Sequence, residues 1–238
     1  MRGSLVTIKL DDGSALGKDN LENPVINMDG NRITLAKVEE VFINYFEQLV
    51  EDCCNRIDVD FDYQFGKNRD LIDKNLYKEL LGYLRSERSK ITQNYLHELK
   101  CSFSEYQALC TGGKEKQSHK GINLENVSLI EDEQVEEGHA IKRLIRSCKE
   151  HYHEELLTLD KYMAGLCGKY SIPSHINPIS PEKLVGSLEK SLHFLKINTE
   201  SRIALYRTFD SNVLKQIGFI YQELNEFFHA SQISAHIE

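Results

Sequence analysis

The stretch NLYKELLGYLRSERSKITQNYLHEL, residues 75–99, decides the fold because one helical face of it is apolar. Apolar residues recur there every three or four positions, and Glu, Lys, Arg and Ser lie between them. The apolar positions of the complete stripe are Leu76, Leu80, Leu84, Ile91, Tyr95, Leu99, Phe103 and Tyr106. The spacing predicts a helix of nearly forty residues, from about residue 70 to Cys110, that tolerates a bend at Gly82 or near Ser102.

Two similar stripes flank this helix in the sequence. Thr34 is the expected N-cap of a first helix that ends near Arg56. Its inward positions are Leu35, Val38, Phe42, Tyr45 or Phe46, Leu49 and Cys53. A third helix is predicted from about Glu131 to Cys167, and Gly168 is positioned to stop it.

The segment HINPISPEKLVGSLEKSL, residues 175–192, indicates the start of a fourth helix rather than a functional site. Ser180, Pro181 and Glu182 match an N-cap, a proline at the first helical position and an acidic residue in the first turn. The helix is expected over residues 181–194.

A fifth helix is predicted to open at Thr199 and to be interrupted near Asp210 or Gly218. Because each predicted element is an amphipathic helix, the apolar stripes must be buried against one another. We therefore predict an all-α bundle of about five amphipathic helices, two or three of them long.

The N-terminal residues and one internal segment carry no apolar stripe. Residues 1–33 are rich in Gly, Asn and Asp and predict a mostly irregular arm, which leaves 34–238 as the helical domain. Residues 111–126, TGGKEKQSHKGINLEN, have almost nothing to bury and predict a flexible loop.

Composition limits the partners that we expect. Lys and Arg together number 29 against 37 Asp and Glu, which gives a formal net charge of -8 and disfavours nucleic acid and anionic lipid. No apolar run reaches the roughly 20 residues of a membrane helix, and the first residues lack the apolar core of a secretion signal. We expect a cytoplasmic protein that binds neither nucleic acid nor membrane.

The cysteines lack any Cys-x-x-Cys pair and any secretory context, which argues against a disulfide framework and against a zinc site. Most of them lie at or beside apolar positions of the predicted helices, where a free thiol behaves as a small apolar side chain. They are Cys53, Cys54, Cys101, Cys110, Cys148 and Cys167.

Two Glu-x-x-His pairs, Glu136 with His139 and Glu150 with His153, have the i, i+3 spacing with which di-iron carboxylate bundles bind metal. Fourteen residues of helix separate the two pairs by about 21 Å, so they cannot share one metal cluster. His151 and His153 are expected on the surface, where they could bind a metal or respond to pH. We predict no catalytic residue, no metal and no cofactor, and an enzyme using Glu, His and Tyr side chains is the least favoured hypothesis.

Two small basic clusters remain as candidate ligand-binding residues. Arg85 and Arg88 lie on the second predicted helix, and Arg143 and Arg146 lie on the third. Such residues commonly pair with a Glu three or four positions away, as Arg146 could with Glu150. If the two clusters converge in space, they would bind an anion or an acidic partner.

Four runs occur in the order and spacing of a known family. They are NLYKELLGYLRSERSKITQNYLHEL (75–99), VSLIEDEQVEEGHAIKRL (127–144), NPISPEKL (177–184) and RIALYRTFDSNVLKQIGFIYQELNEFF (202–228). Through them the chain resembles the bacterial domain of unknown function 1631 family over about residues 35–232. The Asn-Pro-x-x-Pro and Leu-Tyr-x-x-Phe elements are the most specific parts of the resemblance.

The resemblance implies a largely helical protein with regulatory or signalling work, and it supplies no catalytic residues to transfer. Members of the family are considerably longer, so the chain resembles a short or truncated member.

Two functions from different classes follow as expectations. The first is a non-enzymatic helical interaction or regulatory module that binds a protein partner or a second copy of itself. The alternative is a sensor that binds an anionic small molecule or nucleotide between helices through Arg85, Arg88, Arg143 and Arg146.

Overall fold

The structure, a computed structural model, describes residues 25–26, 32–57, 59–60, 63, 74–111 and 132–230. Apart from two strands of two residues each, its regular elements are helical, so the predicted all-α class is confirmed. The strands are β1 (Val25–Ile26) and β2 (Arg32–Ile33), which pair antiparallel. The α-helices are α1 (Leu35–Asn55), α2 (Lys74–Cys110), α3 (Asp132–His151), α4 (His153–Leu166), α5 (Pro181–Leu192), α6 (Thr199–Phe209) and α7 (Gly218–Ala230).

Helices α1 and α2 form as the apolar stripes predict. Thr34 caps α1, because its side chain accepts a hydrogen bond of 3.3 Å from the backbone N–H of Lys37. The inward face of α1 packs against α2, whose stripe is buried from Leu84 to Tyr106. Helix α2 is continuous over 37 residues.

The prediction of one helix from Glu131 to Cys167 is wrong, because the chain forms two helices that meet at Tyr152. Tyr152 leaves the helical region with φ -116° and ψ 34°. Its hydroxyl donates to the backbone carbonyl of Lys215 at 2.8 Å, and its ring meets Tyr221 edge-on. These contacts come from the distant α7 region, so the local apolar period carried no sign of the break.

The predicted interruption of the fifth helix is confirmed. A π-helical turn occupies Asp210–Leu214 between α6 and α7, and the N–H of Lys215 bonds to the carbonyl of Asp210 at 3.0 Å. Helix α6 begins at Thr199 as predicted, and Asn198 caps it, because the Asn198 side chain accepts from the N–H of Ser201 at 2.9 Å.

Helix α5 packs against both α2 and α3. Ser180 caps it by accepting from the N–H of Lys183 at 3.3 Å, and Pro181 occupies the first turn, as predicted. Two buried tyrosines donate to its backbone and to the turn before it: Tyr95 to the carbonyl of Leu184 at 3.2 Å and Tyr221 to that of Ile179 at 3.0 Å. Side chains of both α2 and α7 are therefore bonded to the backbone of segment 175–192.

The expectation that the thiols are unpaired is wrong for one pair, because a disulfide joins Cys110 at the end of α2 to Cys167 at the end of α4. The two residues are 57 positions apart, and packing of the bundle brings the two helix ends together. Gly168 adopts φ 61° directly after the second of them, so it stops α4 as predicted.

The predicted flexible loop lies outside the described residues except for Thr111. Of the predicted arm, the structure describes only the four residues of β1 and β2. None of the described helices combines the length and the apolar character that a membrane crossing requires.

Candidate functional site

The first candidate is a patch on the outside of α1 and α7, which we call the Tyr45–Phe219 surface. The two rings meet edge-on with centroids 5.8 Å apart. Tyr45 is 41% exposed and Phe219 is 46% exposed. Most other large apolar side chains of the described helices are buried, so these two rings are exceptions. The surface also includes the exposed polar side chains that follow each ring along its helix: Gln48, Asp52, Gln222, Glu223 and Glu226.

The core fixes the backbone below these two rings. In α1, Phe42 and Phe46 stack at 5.0 Å inside the core, one turn before and one residue after Tyr45. In α7, Ile220 and Tyr221 directly follow Phe219 and are fully buried. The exposed rings therefore stand on helices that cannot rotate without displacing core residues.

The start of α7 is fixed further by a close approach at Gly218. A β-carbon at that position would lie 2.5 Å from Cε1 of Tyr152, so only glycine admits the ring at this distance. The preceding π-helical turn is tied to the segment after α1, because Asn212 donates to Oδ2 of Asp60 at 3.0 Å. The position of Phe219 follows from these contacts.

The second candidate is a cleft between the end of α3, α4 and the start of α5, which we call the α4–α5 cleft. Its volume is about 250 Å³. Its lining consists of Lys149, His153, Leu156, Leu157, Asp160, Ser174, Ser180 and Pro181. The volume is that of a small ligand group or of one side chain from a partner.

The cleft holds charges of both signs. Lys149 forms an ion pair with Glu182 in the first turn of α5, and the other carboxylate oxygen of Glu182 is buried without a hydrogen bond to the described residues. Asp160 accepts from Nδ2 of Asn177 at 2.7 Å. Burial raises the pKa of the Asp160 carboxyl above its ordinary value, and the bond from Asn177 opposes this shift.

The four predicted ligand-binding arginines are all exposed, with Arg85 and Arg88 on α2 and Arg143 and Arg146 on α3. Arg146 lies 4.0 Å from Oε1 of Glu150, as the helical spacing suggests. Helix α5 packs against both parent helices, and the lining of the α4–α5 cleft includes none of the four. Convergence of the two clusters on one anion therefore stays a prediction.

Burial moves the pKa values of the core thiols and phenols further above ordinary pH. It raises the pKa of the Cys148 thiol to about 12, and it also raises the pKa values of Cys53 and Cys54. The pKa values of the Tyr95 and Tyr221 hydroxyls lie well above their ordinary value for the same reason. These groups act as apolar filling and as hydrogen-bond donors.

Within the ranges that the structure describes, no three His, Cys, Asp or Glu side chains are grouped so that they could hold a metal ion. The two Glu-x-x-His pairs are exposed on α3 and α4, and their members are Glu136, His139, Glu150 and His153. Of these, His153 also lines the α4–α5 cleft.

Sequence reasoning missed the Tyr45–Phe219 surface. The stripe of the first helix left Tyr45 and Phe46 as alternatives for one inward position, and the structure buries Phe46 and exposes Tyr45. Phe219 stands beside the inward Ile220 and outside the stripe of its helix. An aromatic residue off the apolar stripe is the signal that could have identified Phe219, whereas the apolar period does not decide between Tyr45 and Phe46.

The fold and the two candidate sites define a helical module with an exposed aromatic surface and a small cleft that holds charges of both signs. The family described as "Protein of unknown function (DUF1631) N-terminal domain" matches residues 31–231. The chain belongs to this family, as the four sequence runs suggested. No curated protein and no solved structure gives a significant match to the chain.

Proposed function

We propose that this chain is a non-enzymatic helical interaction or regulatory module that binds a protein partner through the Tyr45–Phe219 surface in the cytoplasm. The observation that carries the proposal is the pair of contacting aromatic rings, each more than two-fifths exposed on the outside of the bundle. Aromatic side chains are enriched at protein interfaces, and covering them removes apolar area from water.

The rigidity of the surface supports the same function. The core residues below the rings and the close contact at Gly218 hold both side chains in place before any partner arrives. A preorganised surface loses little conformational entropy on binding, so more of the contact energy contributes to affinity.

The proposal is tested with a photo-crosslinking amino acid placed at residue 219 of the full chain in its native cell. The matched control places it at Tyr170, which is 83% exposed and follows the far end of α4. We expect mass spectrometry to identify a partner joined at position 219, absent at position 170 and strongly reduced by Tyr45→Ala. The same products at both positions, or none at 219, would refute a docking role for this surface.

Light scattering of the purified chain tests whether the partner is a second copy. A dimer that Phe219→Ala converts to a monomer would assign the surface to self-association. A monomer over the whole concentration range assigns it to a different protein.

A sensor of an anionic small molecule is the second candidate, and the α4–α5 cleft favours it. Lys149 and His153 line the cleft beside Ser180 and Pro181, where the amino end of α5 carries a partial positive charge. A thermal-shift screen with nucleotides and cyclic dinucleotides tests this function, since a ligand at a hundred times its Kd stabilises the fold by about 2.7 kcal/mol.

The variants separate the two ligand sites that this sensor could use. Loss of the shift in Lys149→Ala would assign the ligand to the cleft. Loss of the shift only when alanine replaces Arg85 with Arg88, or Arg143 with Arg146, would assign it to the exposed arginines. The absence of a shift with every compound would count against the sensor.

A further inference from the structure

The charges around the Tyr45–Phe219 surface have an order that follows from the directions of α1 and α7. Tyr45 contacts Phe219, and Asp60, farther along the chain, bonds to Asn212, which lies earlier than Phe219. Residue numbers therefore rise along one helix where they fall along the other, so α1 and α7 run antiparallel. Residues that follow each ring extend away from the pair in opposite directions.

This direction places carboxylates at both ends of the surface. Asp52 follows Tyr45 by seven residues and Glu226 follows Phe219 by seven, which is nearly two helical turns in each case. With a rise of about 1.5 Å per residue, each carboxylate lies about 10 Å from the rings along the helix axes. The bond of 3.0 Å from Gln48 to Asp52 confirms that these residues share one face of α1.

Two basic groups on the segments next to this arrangement have acidic partners. Lys215 lies 3.3 Å from Oδ2 of Asp210, and Arg56 lies 3.2 Å from Oδ1 of Asp60. Glu223, one turn after Phe219, adds a further exposed carboxylate. The surface is thus apolar at its centre and negatively charged at both ends, on a chain whose formal net charge is -8.

We propose that the partner element is an amphipathic helix with a large apolar side chain at its centre and Lys or Arg about seven residues before and after it. The apolar side chain covers the ring pair, and seven residues of helix place each basic group about 10 Å away, opposite Asp52 and Glu226. This inference rests on the proposed function and specifies the chemistry of the partner.

A second copy of the chain fits the same surface poorly. A symmetric dimer through the rings would bring Asp52 and Glu226 of one copy against the same carboxylates of the other, and like charges in contact are unfavourable. Charge complementarity therefore favours a basic partner over self-association.

The test uses the full chain and three 15-residue peptides stapled on their solvent face so that each is helical. The first has Leu at its centre with one neighbouring apolar residue and Lys at both ends, seven residues from the centre. The second has Glu at those two ends. The third moves the two Lys to the opposite face of the helix.

We expect fluorescence anisotropy to show about tenfold tighter binding of the first peptide than of either other peptide, because only the first places a Lys opposite both Asp52 and Glu226. This preference decreases as salt is raised to 0.5 M. In the double variant Asp52→Lys with Glu226→Lys, the Glu peptide binds more tightly than the Lys peptide. Phe219→Ala loses the binding of every peptide, whereas Tyr170→Ala keeps it, and circular dichroism confirms that each variant is folded.

Equal binding of the three peptides, or a preference that the charge-reversed variant leaves unchanged, would overturn the basic helix as partner. If a partner is still crosslinked at residue 219 in that case, the proposed interaction function stands and only its chemistry is wrong. A dimer that Phe219→Ala dissolves and the Lys peptide does not displace overturns the inference in favour of a second copy. Loss of both the crosslinks and the peptide binding would remove the proposed function as well.

Discussion

The turn Asn177–Pro181 and the Tyr45–Phe219 surface are opposites in how they use polar and apolar groups. All five residues of the turn are buried, and its polar groups have partners: Asn177 accepts from the N–H of Ile179 at 3.2 Å and donates to Asp160. The surface exposes two aromatic rings with carboxylates around them. A satisfied buried polar turn specifies the fold, whereas apolar area left in water is available to a partner.

Asn177→Ala is expected to give the largest loss of stability, about 3 kcal/mol, because it removes the hydrogen-bond partner of the partly buried Asp160 carboxylate and of the buried N–H of Ile179. Urea unfolding of the full chain measures this loss. The control Tyr170→Ala, at a side chain that is 83% exposed, should change stability by less than about 0.5 kcal/mol. A loss below about 1 kcal/mol in Asn177→Ala would show that the hydrogen bonds of this turn contribute little to the stability of the fold.

Gly218→Ala is expected to cost about 2 kcal/mol, because the added methyl group would lie 2.5 Å from the ring of Tyr152. That ring is held by its hydroxyl bond to Lys215, so it cannot move away without losing the bond. The matched control is Gly82→Ala, at an exposed position of α2 where nothing lies within 4 Å of the new atom. The control should stabilise the chain by about 0.5–1 kcal/mol through helix propensity, and equal effects of the two changes would contradict the close approach.

Asp160→Asn is expected to change how stability depends on pH, with a smaller effect because the carboxyl is only partly buried. Since burial raises its folded pKa, the native state binds this proton more tightly than the unfolded chain. The stabilisation from Asp160 is therefore present below its unfolded pKa of about 4 and is lost as pH rises through the folded pKa. Lys149 and Glu182 face the same carboxyl with opposite effects on its pKa.

The measurement is the free energy of unfolding of both proteins from about pH 3.5 to pH 7. We expect the stability of Asp160→Asn relative to the natural chain to rise with pH over this range, because the amide does not ionise and still accepts from Asn177. A parallel curve for Asp160→Asn would show that burial does not perturb this group.

The helices could largely be predicted from the sequence, because apolar period and capping are local properties. The caps at Thr34 and Ser180, the stop at Gly168 and the interruption at Asp210 all follow from residue types and spacing. The break at Tyr152 and the disulfide could not be predicted in this way. Both depend on groups from distant parts of the chain that only the packed bundle brings together.

The sites were less predictable than the helices for the same reason. Arg85 and Arg143 attract attention in a sequence because they are charged and clustered, yet clustering along a helix does not say which helices meet. Tyr45 and Phe219 are 174 positions apart and match no motif, so only the pairing of α1 with α7 makes them one surface. A rotation of one residue decides whether Tyr45 or Phe46 enters the core, and the apolar period does not resolve that difference.

The smallest expected effect is the coupling between the two exposed rings. If the ring pair is an interaction surface and not part of the core, a double-mutant cycle of Tyr45→Ala and Phe219→Ala should give a coupling of only about 0.5 kcal/mol, typical of an edge-on pair that remains in water. Each single change should cost no more than about 1 kcal/mol, because two-fifths or more of each side chain is already exposed. A coupling above about 2 kcal/mol in urea unfolding would mean that the rings stabilise the bundle as the buried turn does. Their exposure would then be a by-product of packing, and the surface would not be a docking site for a partner.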